Sequence, residues 1–354
     1  MNREIEQVRA RLLQAGLIET GPSEPGELES PWYVKVLLAF SGWLAALFLL
    51  GFIGAGFEFL FRNSTAAFIV GALTIGGAFI ILRGPKNEFV EHLALALSLA
   101  GQALVVFVIF RVADHNPKIA WLLVVALETP LAVIMPNFVH RVFSSFAAVF
   151  AFNMILLLWG YPFLAGPVVL LLSGWCWLNE FRYPALMGGV RAIGFGLVLA
   201  LVLLKGSALF SYRLGWQAAS KPQELWLRPW VGEALSGAVA LYVVWRLLQR
   251  YGRKPADKIS MVALSGAFLL GLASCEVRGL TAGLTILLLG FAGANRVLTG
   301  LGIVALLFFI SSYYYLLSST LLVKSASLLL VGLALLILRW LLRFVPVQQE
   351  VEHV

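Results

Sequence analysis

The chain has 354 residues, of which 60% are hydrophobic and only 12% charged, about half the charged share of an ordinary soluble domain. That composition excludes a sizeable soluble domain and leaves room, at about 20 apolar residues per crossing, for a dozen membrane spans joined by short connections. The net charge of +8 does not point to nucleic acid, because the basic residues are scattered between apolar runs and line no single patch.

The opening stretch "MNREIEQVRARLLQAGLIE" is polar, with Ile5, Val8, Leu12 and Leu13 on one helical face, and has no signal-peptide pattern. Residues 1–33 are therefore expected to form a cytoplasmic amphipathic helix followed by the Pro-, Gly- and Glu-containing linker "GPSEPGELESP". Residues 34–344 form the transmembrane domain and 345–354 a cytoplasmic tail. Apolar runs bounded by charge, proline or polar clusters predict spans at 34–57, 65–82, 92–110, 119–135, 142–160, 163–178, 190–210, 230–248, 259–275, 279–294, 297–315 and 321–342. The sixth, ninth and tenth are short, so ten or eleven crossings are alternatives to twelve. The fold class is all-α, a polytopic bundle of transmembrane helices.

Lys and Arg resist translocation and collect in cytoplasmic loops. With the N-terminus inside, most of the 26 basic residues fall on the inner side, and "RLLQRYGRKPADK" at 246–258 carries the strongest cluster. Both termini are therefore expected in the cytoplasm. The longest outer loop, 211–229, carries Trp216 and Trp226, with Trp230 directly after it; such residues favour the membrane interface. The two cysteines, Cys176 and Cys275, are placed near opposite faces by this topology and are expected to be free thiols.

Soluble-enzyme signatures are absent from the sequence. "LVKSAS" around Lys324 lacks the glycines of a phosphate-binding loop, and His92, His115, His140 and His353 show no metal-ligand spacing. Gly279 and Gly283 have the small-xxx-small spacing of close helix packing. An enzyme is disfavoured on these grounds, and no cofactor or metal is expected.

Charges inside spans carry more information, since an ionised side chain at a helix centre costs about 3 kcal/mol on insertion scales. Glu128 in "WLLVVALETPLAVIMP" is the deepest, and Pro130 deprives the Ala126 carbonyl of its usual partner. A carboxyl beside a broken turn suits proton or cation binding; the alternative is a protonated acid hydrogen-bonded to a neighbouring helix. A second group shares one depth toward the outer ends of several spans: Glu58, Lys205, Glu233, Glu276, Arg278 and Lys324. These could pair across the bundle and line an outward-facing polar cleft, or act singly as interfacial anchors. Tyr313, Tyr314 and Tyr315 sit at the same border, where at least one could offer a hydroxyl, though at about 100° per residue they cannot all face one ligand. Gln102 and Asn153 are read as interhelical hydrogen-bond partners.

The block "LGFAGANRVLTGLGIVALLFFISSYYYLLSSTLLVKSASLLLVGLALLILRW" at 289–340 resembles the signature region of an uncharacterised bacterial polytopic inner-membrane family. "WYVKVLLAFSGWLAALFLLGFIG" at 32–54 is similar to the opening of related proteins. The resemblance implies the bacterial inner membrane and a small membrane-anchored partner bearing a Gly-Asp-Tyr-x-x-Leu-x-Tyr motif; it implies no activity. The expected function is the membrane subunit of a small complex, with the outer cleft receiving that partner. The alternative is a proton- or ion-coupled transporter, or a lipid-handling permease, using Glu128. The lipid bilayer is an expected partner on either reading.

Overall fold

The computed structural model describes residues 62–84, 88–114, 116–182, 184–213, 229–254, 256–275 and 277–316, with isolated helical positions between 44 and 52 and between 321 and 340. In chain order the long described segments form α1 (Ser64–Ile81), α2 (Glu88–Val112), α3 (Pro117–Ile134), α4 (Phe138–Leu158), α5 (Ala165–Leu178), α6 (Met187–Arg213), α7 (Pro229–Arg250), α8 (Lys258–Ser274), α9 (Leu280–Ala292) and α10 (Arg296–Leu316). Each falls within a few residues of a segment that the apolar runs predict, because a backbone in hydrocarbon satisfies its N–H and C=O groups within its own helix.

Local chemistry sets the starts. Asn63, Asn116 and Asn137 each cap a helix by accepting hydrogen bonds from backbone N–H groups in its first turn. Pro117 and Pro229 occupy first helical positions, where a missing N–H costs nothing.

Among the described residues, seven helices are long and apolar enough to cross a bilayer: α1 to α4, α6, α7 and α10. Helices α5 and α9 have 14 and 13 residues, a rise of roughly 20 Å against a hydrocarbon thickness of about 30 Å. With α8, they make three shorter apolar helices. The expectation of twelve crossings is thus reduced to seven among these residues, and the spans placed at 34–57 and 321–342 lie largely outside them. Apolar side chains face outward along the long helices, as at Leu73, Val304 and Leu307, which fits a multi-pass membrane protein in contact with lipid.

Helix α1 packs on α2, α3 on α4, and α4 on α6; α5 lies against α6 and α7, α7 against α8 and α9, and α9 against α10. The main core gathers Val149, Leu170, Trp177, Leu201, Val243, Ile286 and Leu298 from six of these helices. Two ends of the bundle can be told apart. At one, Arg191 opening α6 pairs with Glu180 just beyond α5, and Arg141 opening α4 lies against Gly189; Arg250 and the loop holding Arg253 and Lys254 share this basic end. The C-terminal end of α6 and the turn after α8 lie at the opposite end.

The α1–α2 crossing depends on two glycines. A Cβ on Gly71 would lie 2.8 Å from Val105 Cγ2, and one on Gly101 would strike Thr74 Oγ1 and lie 2.7 Å from the Gly71 carbonyl. Gly101→Val is expected to destabilise this pair by about 1–3 kcal/mol through overpacking, whereas Gly77→Ala, which meets nothing within 4 Å, leaves thermal unfolding in detergent unchanged. Equal melting curves for both variants would contradict this packing.

Candidate functional sites: a buried hydrogen-bond chain and a buried ion pair

Three helices build the first site. Ser98 and Gln102 are four residues apart on α2, His140 and Ser144 four apart on α4, so each pair shares one helical face. Glu128 reaches them from α3. All five are buried, with Glu128 2% and His140 0% exposed.

The Gln102 amide donates from Nε2 to Ser144 Oγ at 2.9 Å and lies 3.4 Å from both Glu128 Oε2 and His140 Nε2. Ser98 Oγ lies 2.7 Å from His140 Nε2, and Ser144 Oγ 3.4 Å from His140 Nδ1. Ser144 also lies close enough to the Glu128 side chain to interact with it. One proton assignment fits these contacts apart from the 3.4 Å approach of Gln102 Nε2 to His140 Nε2, whose single lone pair goes to Ser98. His140 is neutral with its proton on Nδ1, accepts from the Ser98 hydroxyl at Nε2, and donates to Ser144; Ser144 accepts from His140 and Gln102 and donates to Glu128. Gln102 Oε1 has no hydrogen-bond partner among the described groups.

The two flanks of this chain differ. Toward the basic end, His140 N donates to Asn137 Oδ1 at 3.0 Å, and Asn137 Nδ2 donates to Glu91 Oε1 at 2.6 Å. Glu91 is exposed, so polar groups lead inward from the surface. Toward the opposite end, Trp121 lies edge-on to Phe110 at 4.9 Å and to Phe150 at 5.9 Å between ring centroids. Trp121 precedes Glu128 by seven residues, about 10 Å along α3, so an aromatic cluster from the same three helices lies on that side, with Phe110 exposed at its edge.

The second site lies near the opposite end. Lys205 Nζ on α6 bonds Glu233 Oε1 on α7 at 2.8 Å and Ser236 Oγ at 3.0 Å. Glu233 Oε2 accepts from Ser274 Oγ at 3.1 Å and from the Gly279 backbone N–H at 3.5 Å. The residues are 8% and 4% exposed. Gly279 adopts φ +86°, a conformation that favours glycine, and its Cα faces the Phe309 ring. Gly283 abuts Leu306, so both glycines of the predicted motif pack against α10. Beside the ion pair, Asn153, Phe163, Gly166 and Arg278 help to line a recess of about 30 Å³, room for about two waters.

Of the nine charged or tyrosine positions that the sequence groups at this depth, Lys205, Glu233 and Arg278 come together around that recess. Tyr313 and Tyr314 are half-buried and Tyr315 is exposed near the end of α10, with Tyr314 and Tyr315 edge to face at 5.4 Å. Glu58, Glu276 and Lys324 lie outside the described residues. Glu128 is drawn into a hydrogen-bond chain with His140, Ser98 and Ser144, none of which the sequence reading selects. Their signal was the repeated four-residue spacing of polar residues in apolar helices, Ser98 to Gln102 and His140 to Ser144. Cys176 and Cys275 are free thiols, and no cluster of metal-ligating side chains occurs among the described residues.

Lys205→Met alone leaves the Glu233 carboxylate buried and uncompensated, an expected cost of about 3–5 kcal/mol. Adding Glu233→Gln is expected to recover most of that loss, because the remaining polar side chain is neutral. Unfolding of the single and double variants in one detergent compares them; a double variant no more stable than the single one would argue against a direct pair.

A family model described as a domain of unknown function (DUF4401) matches residues 31–344. No curated protein and no solved structure matches the chain.

Proposed function

The chain belongs to the DUF4401 family, whose description carries no activity, and from its own buried groups we propose that it is a proton-coupled membrane transporter with Glu128 as the proton-binding carboxyl. The observation that carries this reading is the continuous chain Ser98–His140–Ser144–Glu128, held between three helices and bridged by Gln102. Ionisable groups kept inside a membrane domain are costly and mark relays and ion paths.

The chain can work as a relay with every proton accounted for. A proton arriving at His140 Nε2 from the Ser98 side allows the Nδ1 proton to pass to Ser144, while Ser144 passes its own to the Glu128 carboxylate. Glu128 becomes a neutral acid, Ser144 remains a hydroxyl, and His140 ends neutral with its proton on Nε2. Rotation of the two hydroxyls and a tautomer exchange at His140 reset the chain. Glu91 and Asn137 supply the polar approach from the basic end, and the distribution of Lys and Arg supports a cytoplasmic position for that end. On this reading the Phe110–Trp121–Phe150 cluster is the apolar feature that lies between Glu128 and the opposite side.

Proteoliposomes holding internal pyranine, with a valinomycin-set potassium potential, provide the test. The native chain is expected to move protons, Glu128→Gln to abolish the flux, and Ser144→Ala to reduce it at least tenfold. Normal proton movement in folded Glu128→Gln vesicles would end this reading.

The polar recess at Lys205, Glu233 and Arg278 favours a second reading, the membrane subunit of a small complex that receives a membrane-anchored partner there. Its support is weaker, because Lys205 and Glu233 already saturate one another. Mild-detergent purification from the native membrane is expected to retain a small partner on this reading; recovery of the isolated chain alone would remove it.

A further inference from the structure

Helices α8 and α9 are joined by a short loop, and there the Ser274 Oγ accepts from the Thr281 backbone N–H at 3.2 Å. Away from this tie they make few contacts with one another, and each packs on α7 instead. The result is a groove of about 510 Å³ floored by α7. It is lined by Gly271 and Thr281 near the tie and by Tyr251, Ala263 and Ala292 toward the basic end. From Thr281 to Ala292 it follows α9 for roughly 16 Å.

The lining has almost no polar character. The Thr285 hydroxyl is spent on the Thr281 carbonyl at 2.7 Å, and the wall on α8 is mostly small residues, Ala263, Gly266, Ala267 and Gly271, with Leu270 the one large side chain. Small residues of this kind normally let a second helix approach closely, yet α9 does not close over them. Charge is confined to the mouth. Arg253, Lys254 and Lys258 lie on or beside the α7–α8 connection, and Arg296 opens α10 after the α9–α10 turn. Among the described residues none of these four side chains is in an ion pair; Asp257 accepts from the backbone N–H of Lys254.

An apolar slot with free cations at one mouth matches an amphiphile with a negative head and a hydrocarbon tail. The geometry points to a binding site for one anionic phospholipid: an acyl chain lies along α9 in the groove, and the phosphate meets Arg253, Lys254, Lys258 and Arg296. An occupying helix would explain the small residues but would give those cations no counter-charge. Interfacial Tyr251, 64% exposed at the mouth, sits where glycerol and headgroup would meet the chain.

Native mass spectrometry of the full chain, taken from micelles holding equal amounts of dioleoyl phosphatidylglycerol and dioleoyl phosphatidylcholine, tests this site. One retained phosphatidylglycerol is expected, about tenfold over phosphatidylcholine, since each basic residue near an anionic headgroup contributes to the attraction. The combined variant R253Q/K254Q/K258Q, which leaves the groove intact, is expected to bring that ratio close to one. A267F, which fills the groove, is expected to lower retention of both lipids, and excess glycerol 3-phosphate to displace neither. Equal retention of the two lipids by the native chain, or an unchanged ratio in the loop variant, would overturn the proposal. So would displacement by glycerol 3-phosphate, or crosslinking of a cysteine at position 267 to another segment or a second copy of the chain.

Discussion

A polar group inside a bilayer has no water to turn to, and this constraint governs both the architecture and its two buried sites. Backbone groups meet it by helix formation, which is why the described segments are helices with short caps and turns. Side chains meet it by pairing across helices, and the choice of partner decides what each site can do. Lys205 and Glu233 cancel one another's charge and spend their remaining hydrogen-bonding capacity on Ser236, Ser274 and the Gly279 backbone. Such an arrangement ties α6, α7 and the α8–α9 turn together and resists rearrangement, since breaking the pair exposes each charge to a low dielectric.

Glu128 is held differently. It has no cation within its hydrogen-bond chain; its partners are an amide, a hydroxyl and, through that hydroxyl, an imidazole. Every member except the amide can either give or take a proton, so the same heavy-atom positions accommodate more than one proton arrangement. A saturated ion pair provides rigidity, whereas a chain of interchangeable donors and acceptors provides a route. The contrast between the two sites gives Glu128 the stronger case for chemistry.

The helices were legible in the sequence because hydrocarbon imposes length and apolarity directly, and ten predicted segments reappear with small changes at their ends. The number of crossings was less legible. A run such as 279–294 reads as a span by composition, yet Gly279 turns the backbone at its start and the α9–α10 turn begins at Gly293, leaving a helix too short to cross alone. Glu128 stood out because a carboxyl in an apolar helix has few bland explanations. His140 did not, because a lone histidine beside Arg141 at a helix start looks interfacial, and only its facing of Ser98 on α2 reveals a partner 42 residues away. Periodicity identifies the face of one helix; which faces meet is set by packing between helices that are distant in sequence.

The asymmetry around Glu128 follows from the same pairing rule. On the side toward the basic end, Asn137 both caps α4 and bonds Glu91, so the residue that starts the helix also continues the polar path. On the other side the three helices meet through Phe110, Trp121 and Phe150, whose ring edges and faces complement one another without any hydrogen-bond acceptor. Glu128 therefore has polar side chains on one side and the Phe110, Trp121 and Phe150 rings on the other. On the proposed transport reading, exchange with the far side requires α3 to shift against α2 and α4, and Pro130, two residues beyond Glu128, places the one interrupted turn of α3 beside the group whose charge would change. On that reading, neutralising Glu128 lowers the cost of carrying it past apolar side chains, which would couple protonation to helix movement through the dielectric.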